Sequence, residues 1–158
     1  MPSTRSGKAQ TAAATAVKAR APKVTPKEPV ATAEEFKARV IRPADLPATE
    51  LVKGSNSHLV VGEQVMISFL KMDAHSYFAP HHHRQEQIMI VLEGYCDEII
   101  DGKLYRVEKG DVIILPSNVE HGAYIGDEDV HVIDVFGDVR GDYLMKMMQV
   151  MTTLNTNK

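Results

Sequence analysis

His81-His82-His83-Arg84-Gln85-Glu86-Gln87 runs directly into Ile88-Met89-Ile90-Val91-Leu92-Glu93-Gly94, and the reading of this stretch decides the rest. In an extended backbone alternate side chains share a face, so His81 and His83 project together and His82 projects away. Gln87 rejoins the face of the two histidines after a short turn. Neutral imidazole is the commonest metal ligand, and two imidazoles held at a fixed spacing on a strand point to a divalent ion. The plainer alternative is a solvent-facing histidine run that scavenges metal weakly. A one-residue change of parity in the turn puts Glu86 in place of Gln87, because each residue reverses sides.

A second segment, Gly110-Asp111-Val112-Ile113-Ile114-Leu115-Pro116-Ser117-Asn118-Val119-Glu120-His121, reads as a turn, an apolar strand and a proline stop, with a histidine five residues past the proline. His121 supplies a further ligand. Together the two segments resemble the cupin superfamily. Its first motif is HxH, three or four residues, a carboxylate or amide, then six residues and a glycine. His81, His83, Gln87 and Gly94 fit that motif, and the spacing to Gly94 favours Gln87 over Glu86; Gly110, Pro116 and His121 fit the second. Two positions depart: His75 stands where a glycine is expected, and Ile125 where an asparagine is often found. Gln87 in place of the usual glutamate leaves the charge of an ion uncompensated by protein.

At 158 residues the chain predicts one domain with tails. No run approaches the length of a membrane span, which predicts a soluble protein without membrane partners. Cys96 is the single cysteine, so an internal disulfide and a zinc-thiolate cluster are excluded, and a small buried apolar role is expected for it. Residues 1 to 27 carry six Lys/Arg and no Asp/Glu, leaving 12 basic against 21 acidic residues in the remainder. An acidic body argues against nucleic-acid binding by the folded domain.

Residues 1–32 are dominated by Ala, Thr, Lys, Pro and Ser and predict a disordered tail, since they offer too little apolar surface to offset chain entropy. The expected location is cytoplasmic, with organelle targeting through this basic, acid-poor tail as the minor alternative. The barrel is assigned to 33–145 and a C-terminal helix and tail to 146–158. Glu34 to Arg39 reads as a short helical turn, and Ile41 to Pro47 as an extended lead-in, because its prolines forbid a helix interior. Short strands are expected at 58–61, 64–72, 79–83, 87–93, 95–100, 103–107, 112–115, 121–125 and 130–136. Asp101-Gly102 marks a two-residue hairpin. Many short strands at such spacing predict an all-β sandwich or barrel, and the cupin resemblance implies a jelly-roll barrel. Both faces of 64–70 and 87–93 are apolar; one fills the barrel, and a homodimer most simply covers the other. Leu144, Met147, Met148 and Met151 form a helical stripe behind Asp142, suited to packing or dimer contact.

Asp134 sits in the middle of the β-branched run Val130 to Phe136, where a carboxylate is costly unless paired or functional. Arg140 is the available structural partner. The functional alternative has Asp134 exchanging protons with a substrate and Arg140 gripping a substrate carboxylate. Residues 40 to 145 resemble the small cupins of pectin and alginate breakdown, which open the ring of 4,5-unsaturated uronates. That resemblance implies one divalent metal, zinc, nickel, iron or manganese, on His81, His83, Gln87 and His121. It also implies Asp134 as proton-transfer group, Arg140 as carboxylate clamp, Phe136 as pocket wall, and a metal-dependent isomerase or lyase of carbohydrate metabolism. Asp138 and Met89 depart from that family's pattern, the latter replacing a polar amide of its pocket. A cupin dioxygenase using iron or nickel, or a non-catalytic module binding a sugar acid or a metal, are the alternative readings.

Overall fold

The computed structural model describes residues 25–156, so the expectations for the first 24 residues, disorder and targeting, lie outside the described residues. Thr32 opens a first helix, α1 (Ala33–Arg39), through a capping box. The Glu35 amide donates to Thr32 Oγ1 at 3.2 Å, and the Thr32 amide donates to the Glu35 carboxylate at 2.8 Å. None of its residues is buried, so α1 stands in solvent and contributes nothing to the core. A single 3₁₀ turn at Pro43–Asp45 follows.

Ten strands build the body: β1 (Ala48–Val52), β2 (Ser55–Val61), β3 (Val65–Met72), β4 (Tyr77–His81), β5 (Gln87–Glu93), β6 (Tyr95–Ile100), β7 (Lys103–Glu108), β8 (Val112–Leu115), β9 (His121–Ile125) and β10 (Val130–Gly137). They form a six-stranded sheet ordered β1-β2-β3-β10-β5-β8 and a four-stranded sheet ordered β4-β9-β6-β7. From β3 to β6 and again from β8 to β10 the chain alternates between the sheets, the jelly-roll path. Met66, Leu115, Val91, Cys96, Val130 and Val132 are among the side chains packed between them. The Asp101-Gly102 hairpin forms as expected: Ile100 pairs with Lys103, and φ is +47° and +71° at the two turn residues.

Three expectations are corrected. The strand expected at 58–61 begins at Ser55, and β1 was not anticipated. The buried faces there include Thr49, Ser55 and Ser57, so the apolar alternation that announces a strand is missing. Ser57 and Ser68 satisfy each other across β2 and β3 at 2.8 Å. The strand expected at 79–83 ends at His81. The closing helix, α2 (Gly141–Thr156), begins inside the span assigned to the barrel, and its packed side is Tyr143, Leu144 and Met147. Of the expected stripe, Leu144 and Met147 pack on the body, while Met148 and Met151 are 57% and 45% exposed.

The outer face of the larger sheet is apolar across five strands. One row runs Val60, Ile67, Val135, Ile88, Ile114; the next runs His58, Phe69, Ile133, Ile90, Val112. Ile114 and Val112 are 62% and 58% exposed.

Candidate metal centre and pocket

His81 closes β4 and pairs directly with His121, which opens β9. Their close approach needs Gly122 next in line: a Cβ there would meet the Phe78 carbonyl oxygen at 2.5 Å and the Pro80 nitrogen at 3.0 Å. His83 lies two residues past β4, in a loop tied to the segment before His121. The Asn118 amide donates to the His83 carbonyl at 2.8 Å, and Ser117 Oγ donates to the Arg84 carbonyl at 2.5 Å. Strand parity alone therefore did not bring the first two histidines together; the loop did. Ligand atoms of His81, His83 and His121 all lie within 4.8 Å of one another.

The protons of two rings are fixed. Nδ1 of His81 is 2.9 Å from the Ala79 carbonyl and Nδ1 of His121 is 2.9 Å from the Val119 carbonyl. A carbonyl only accepts, so each Nδ1 carries the hydrogen and each Nε2 keeps a bare lone pair, the tautomer a ligand requires. Burial, reinforced by neighbouring imidazoles and Arg140, pushes His121 down to about 4 against the pull of its Val119 bond, and burial with Arg140 lowers His83. Both rings are neutral at pH 7.

Gln87, the first residue of β5, is buried, whereas Glu86 and His82 are exposed. Gln87 Oε1 stands 3.1 Å from His83 Nε2. An amide oxygen only accepts, so His83 Nε2–H donates to it here, and the same two atoms are close enough to be offered to one ion. Three imidazoles and an amide oxygen fit a divalent metal, and no ligand carries a compensating negative charge.

The other end of the Gln87 amide donates to Asp134 Oδ1 at 2.8 Å. Asp134, on β10, is 4% exposed, and burial pushes its carboxyl up to about 7 against the opposing effects of Gln87 and Arg140. The structural pair with Arg140 is not formed. Arg140 Nε and Nη2 donate to Asp142 at 3.0 and 2.6 Å, its guanidinium lies over the Tyr143 ring at 4.2 Å, and Nη1 is buried without a partner. Phe136, 1% exposed, meets the His83 ring edge-on at 5.7 Å, so it braces that ring. Neither Phe136 nor Arg140 lines the cavity itself.

That cavity, about 30 Å³ of space inside the barrel, is bounded by His81, Gln87, His121 and Asp134 together with apolar walls that include Leu70, Phe78 and Met89. It also takes in Glu98, a residue that reading the sequence missed. Glu98 is 4% exposed on β6, and burial, with Asp134 nearby, pushes it up to about 8. The signal was present: with Cys96 inside, strand alternation places Glu98 on the same face.

Residues 68–136 match the sequence profile of the family described as Cupin domain. No curated protein matches the chain in sequence. Among solved structures, an RmlC-like cupin from Shewanella frigidimarina superposes with a TM-score of 0.62 at 23% identity, over 66% of this chain and 95% of its own. KdgF from Halomonas sp. superposes with a TM-score of 0.58 at 27% identity, over 63% of this chain and 92% of its own. The polyketide cyclase RemF from Streptomyces resistomycificus does so with a TM-score of 0.59 at 18% identity, over 65% and 81%.

Proposed function

Given the cupin jelly-roll fold, we propose that this protein is a metal-dependent enzyme that opens and tautomerises the ring of an unsaturated uronate or a similar small carboxylated sugar. The observation that carries the reading is Asp134, a buried cavity-lining carboxyl held by the same Gln87 amide that faces the histidine cluster. The resemblance over residues 40 to 145 to the small cupins of pectin and alginate breakdown supports the substrate class, and the fold shared with KdgF from Halomonas sp. at 27% identity is consistent with it.

His81, His83 and His121 through their ring nitrogens and Gln87 through Oε1 would hold the ion, whether zinc, nickel, iron or manganese. When bound it supplies Lewis-acid polarisation of a substrate oxygen, undiminished by any anionic ligand. Asp134 takes the proton of the anomeric hydroxyl while the bond from that carbon to the ring oxygen breaks, leaving an aldehyde and an enolate. The same carboxyl returns that proton to the vinylic carbon as the enolate becomes a ketone, so the reaction is an isomerisation with no oxidant or reductant. A carboxyl poised near 7 serves both as acceptor and as donor at neutral pH. Gln87 is a positioning residue, fixing Asp134 relative to the ligands. Arg140 adds positive potential beside the site, with its fork held by Asp142 and its Nη1 buried outside the cavity wall. The apolar outer face of the larger sheet fits a second copy of the chain, giving a homodimer.

The test is metal analysis of protein purified without added metal, followed by an ultraviolet assay of the unsaturated-uronate chromophore alongside an oxygen electrode. Loss of absorbance without oxygen uptake is the expected result. Oxygen uptake would replace the reading with an oxygenase, and absence of both with a binding module.

A further inference from the structure

Glu98 has no part in the chemistry described so far, and no structural role accounts for it. It occupies an inward position of β6 between Cys96, which is fully buried, and Ile100, where the alternation of a barrel strand calls for an apolar side chain. The carboxyl is 4% exposed, and no hydrogen bond or ion pair among the described residues holds it. A buried carboxyl without a partner costs the fold stability, and natural chains keep such groups chiefly where a ligand completes them.

Glu98 is among the side chains that bound the cavity, and it comes from the opposite sheet to Asp134. His81 and His121 come from the same sheet as Glu98, and Gln87 from the other. Of the other polar groups on its walls, Asp134 is already engaged by Gln87, and only the Tyr143 hydroxyl and Glu98 remain. The walls around them are Leu70, Met72, Phe78, Met89 and Ala123, which offer no side-chain hydrogen bond. A sugar ring anchored beside the histidines therefore has its outward hydroxyls against hydrocarbon, except where Glu98 meets them.

We propose that Glu98 is a substrate-contacting, specificity-determining residue: its carboxyl hydrogen-bonds a ring hydroxyl of the ligand that does not react, and so selects a hydroxylated sugar acid over a plain carboxylate of the same size. The inference rests on the uronate reading above and deepens it. A site built around such a bond rejects an analogue lacking it, because the buried group is left unpaired. The contact acts in binding, so its loss raises KM more than it lowers kcat.

The experiment compares metal-loaded wild type with Glu98→Gln and Glu98→Leu, using the 4,5-unsaturated galacturonate monomer as probe. Glu98→Leu raises KM by about tenfold or more with a smaller change in kcat, and Glu98→Gln, which keeps the hydrogen-bonding shape, recovers most of the loss. Wild-type KM in Glu98→Leu overturns the proposal. So does an equal collapse of kcat in both variants at unchanged KM, which would make Glu98 a proton-transfer group. Thermal melting gives a readout independent of substrate: Glu98→Leu melts at or above wild type, and a clear fall would mean that the carboxyl supports the fold, overturning the proposal. The two failures separate. A wild type that does not turn over the probe refutes the uronate reading, and melting of Glu98→Leu then decides whether the fold needs Glu98.

Discussion

Replacing Asp134 with Asn tests the site most directly, because a stabilising ion pair and a functional buried acid respond in opposite ways. The carboxyl has been pushed from 3.8 to about 7 by burial, and at about 1.4 kcal/mol per pH unit its ionisation costs the folded state about 4 kcal/mol. The sign follows from the proton count. Between 3.8 and 7 the folded chain holds a proton that the unfolded chain has released, so the stability present below 3.8 is lost as pH rises through 7. Asparagine keeps the oxygen that accepts the Gln87 bond but introduces an amide donor with no partner, a cost of roughly 1 to 3 kcal/mol. At pH 8, relief of the buried charge outweighs that cost, and the variant gains about 1 to 3 kcal/mol. At pH 4 there is little charge to relieve, and it loses a similar amount. Urea unfolding of the metal-free proteins at pH 4, 6 and 8 measures this crossover, and turnover of unsaturated uronate should fall roughly a hundredfold at unchanged metal content. A loss of about 3 to 5 kcal/mol at pH 8 would instead be the signature of a broken buried ion pair and would refute the reasoning.

His121→Ala should abolish tight metal binding in an equilibrium-dialysis assay. It should also remove the stabilisation by added metal, about 2.7 kcal/mol at a hundredfold excess over Kd, seen as a melting temperature that no longer responds to the ion. Gly122→Ala should separate β4 from β9, since its Cβ would lie 2.5 Å from a carbonyl oxygen; the check is a lower melting temperature together with lost metal affinity. In metal-free protein the fall of His121 from 6.5 to about 4 makes stability rise with pH between those values, whereas Glu98, raised from 4.5 to about 8, makes it decline across its own window. Glu98→Gln should accordingly flatten the decline between about pH 5 and 8 in a melting series. Ile114→Glu places a charge in the exposed apolar row and should convert a dimer to monomer in sedimentation velocity, and an unchanged dimer would point to another face.

Residues adjacent along the chain carried the parts of this protein that were legible without coordinates. His81 and His83 before Gly94, with His121 after Pro116, marked the histidine cluster, because residue types and their spacing are local properties. Short runs punctuated by turn residues marked β5, β6, β8 and β9, and Asp101-Gly102 marked its hairpin for the same reason. Where the buried face was built from Thr49, Ser55 and Ser57, no apolar period existed to be read, and β1 went unseen. Only the tertiary structure decided which groups answer one another. Asp134 hydrogen-bonds Gln87, 47 residues earlier, while Arg140 turns to Asp142 two residues away, and a carboxylate in a sequence does not say which donor will reach it. The cavity wall was decided the same way. Glu98 and Asp134 belong to different sheets and become neighbours only when the jelly roll closes, so the desolvation that sets their chemistry is a property of the enclosed space and not of either strand.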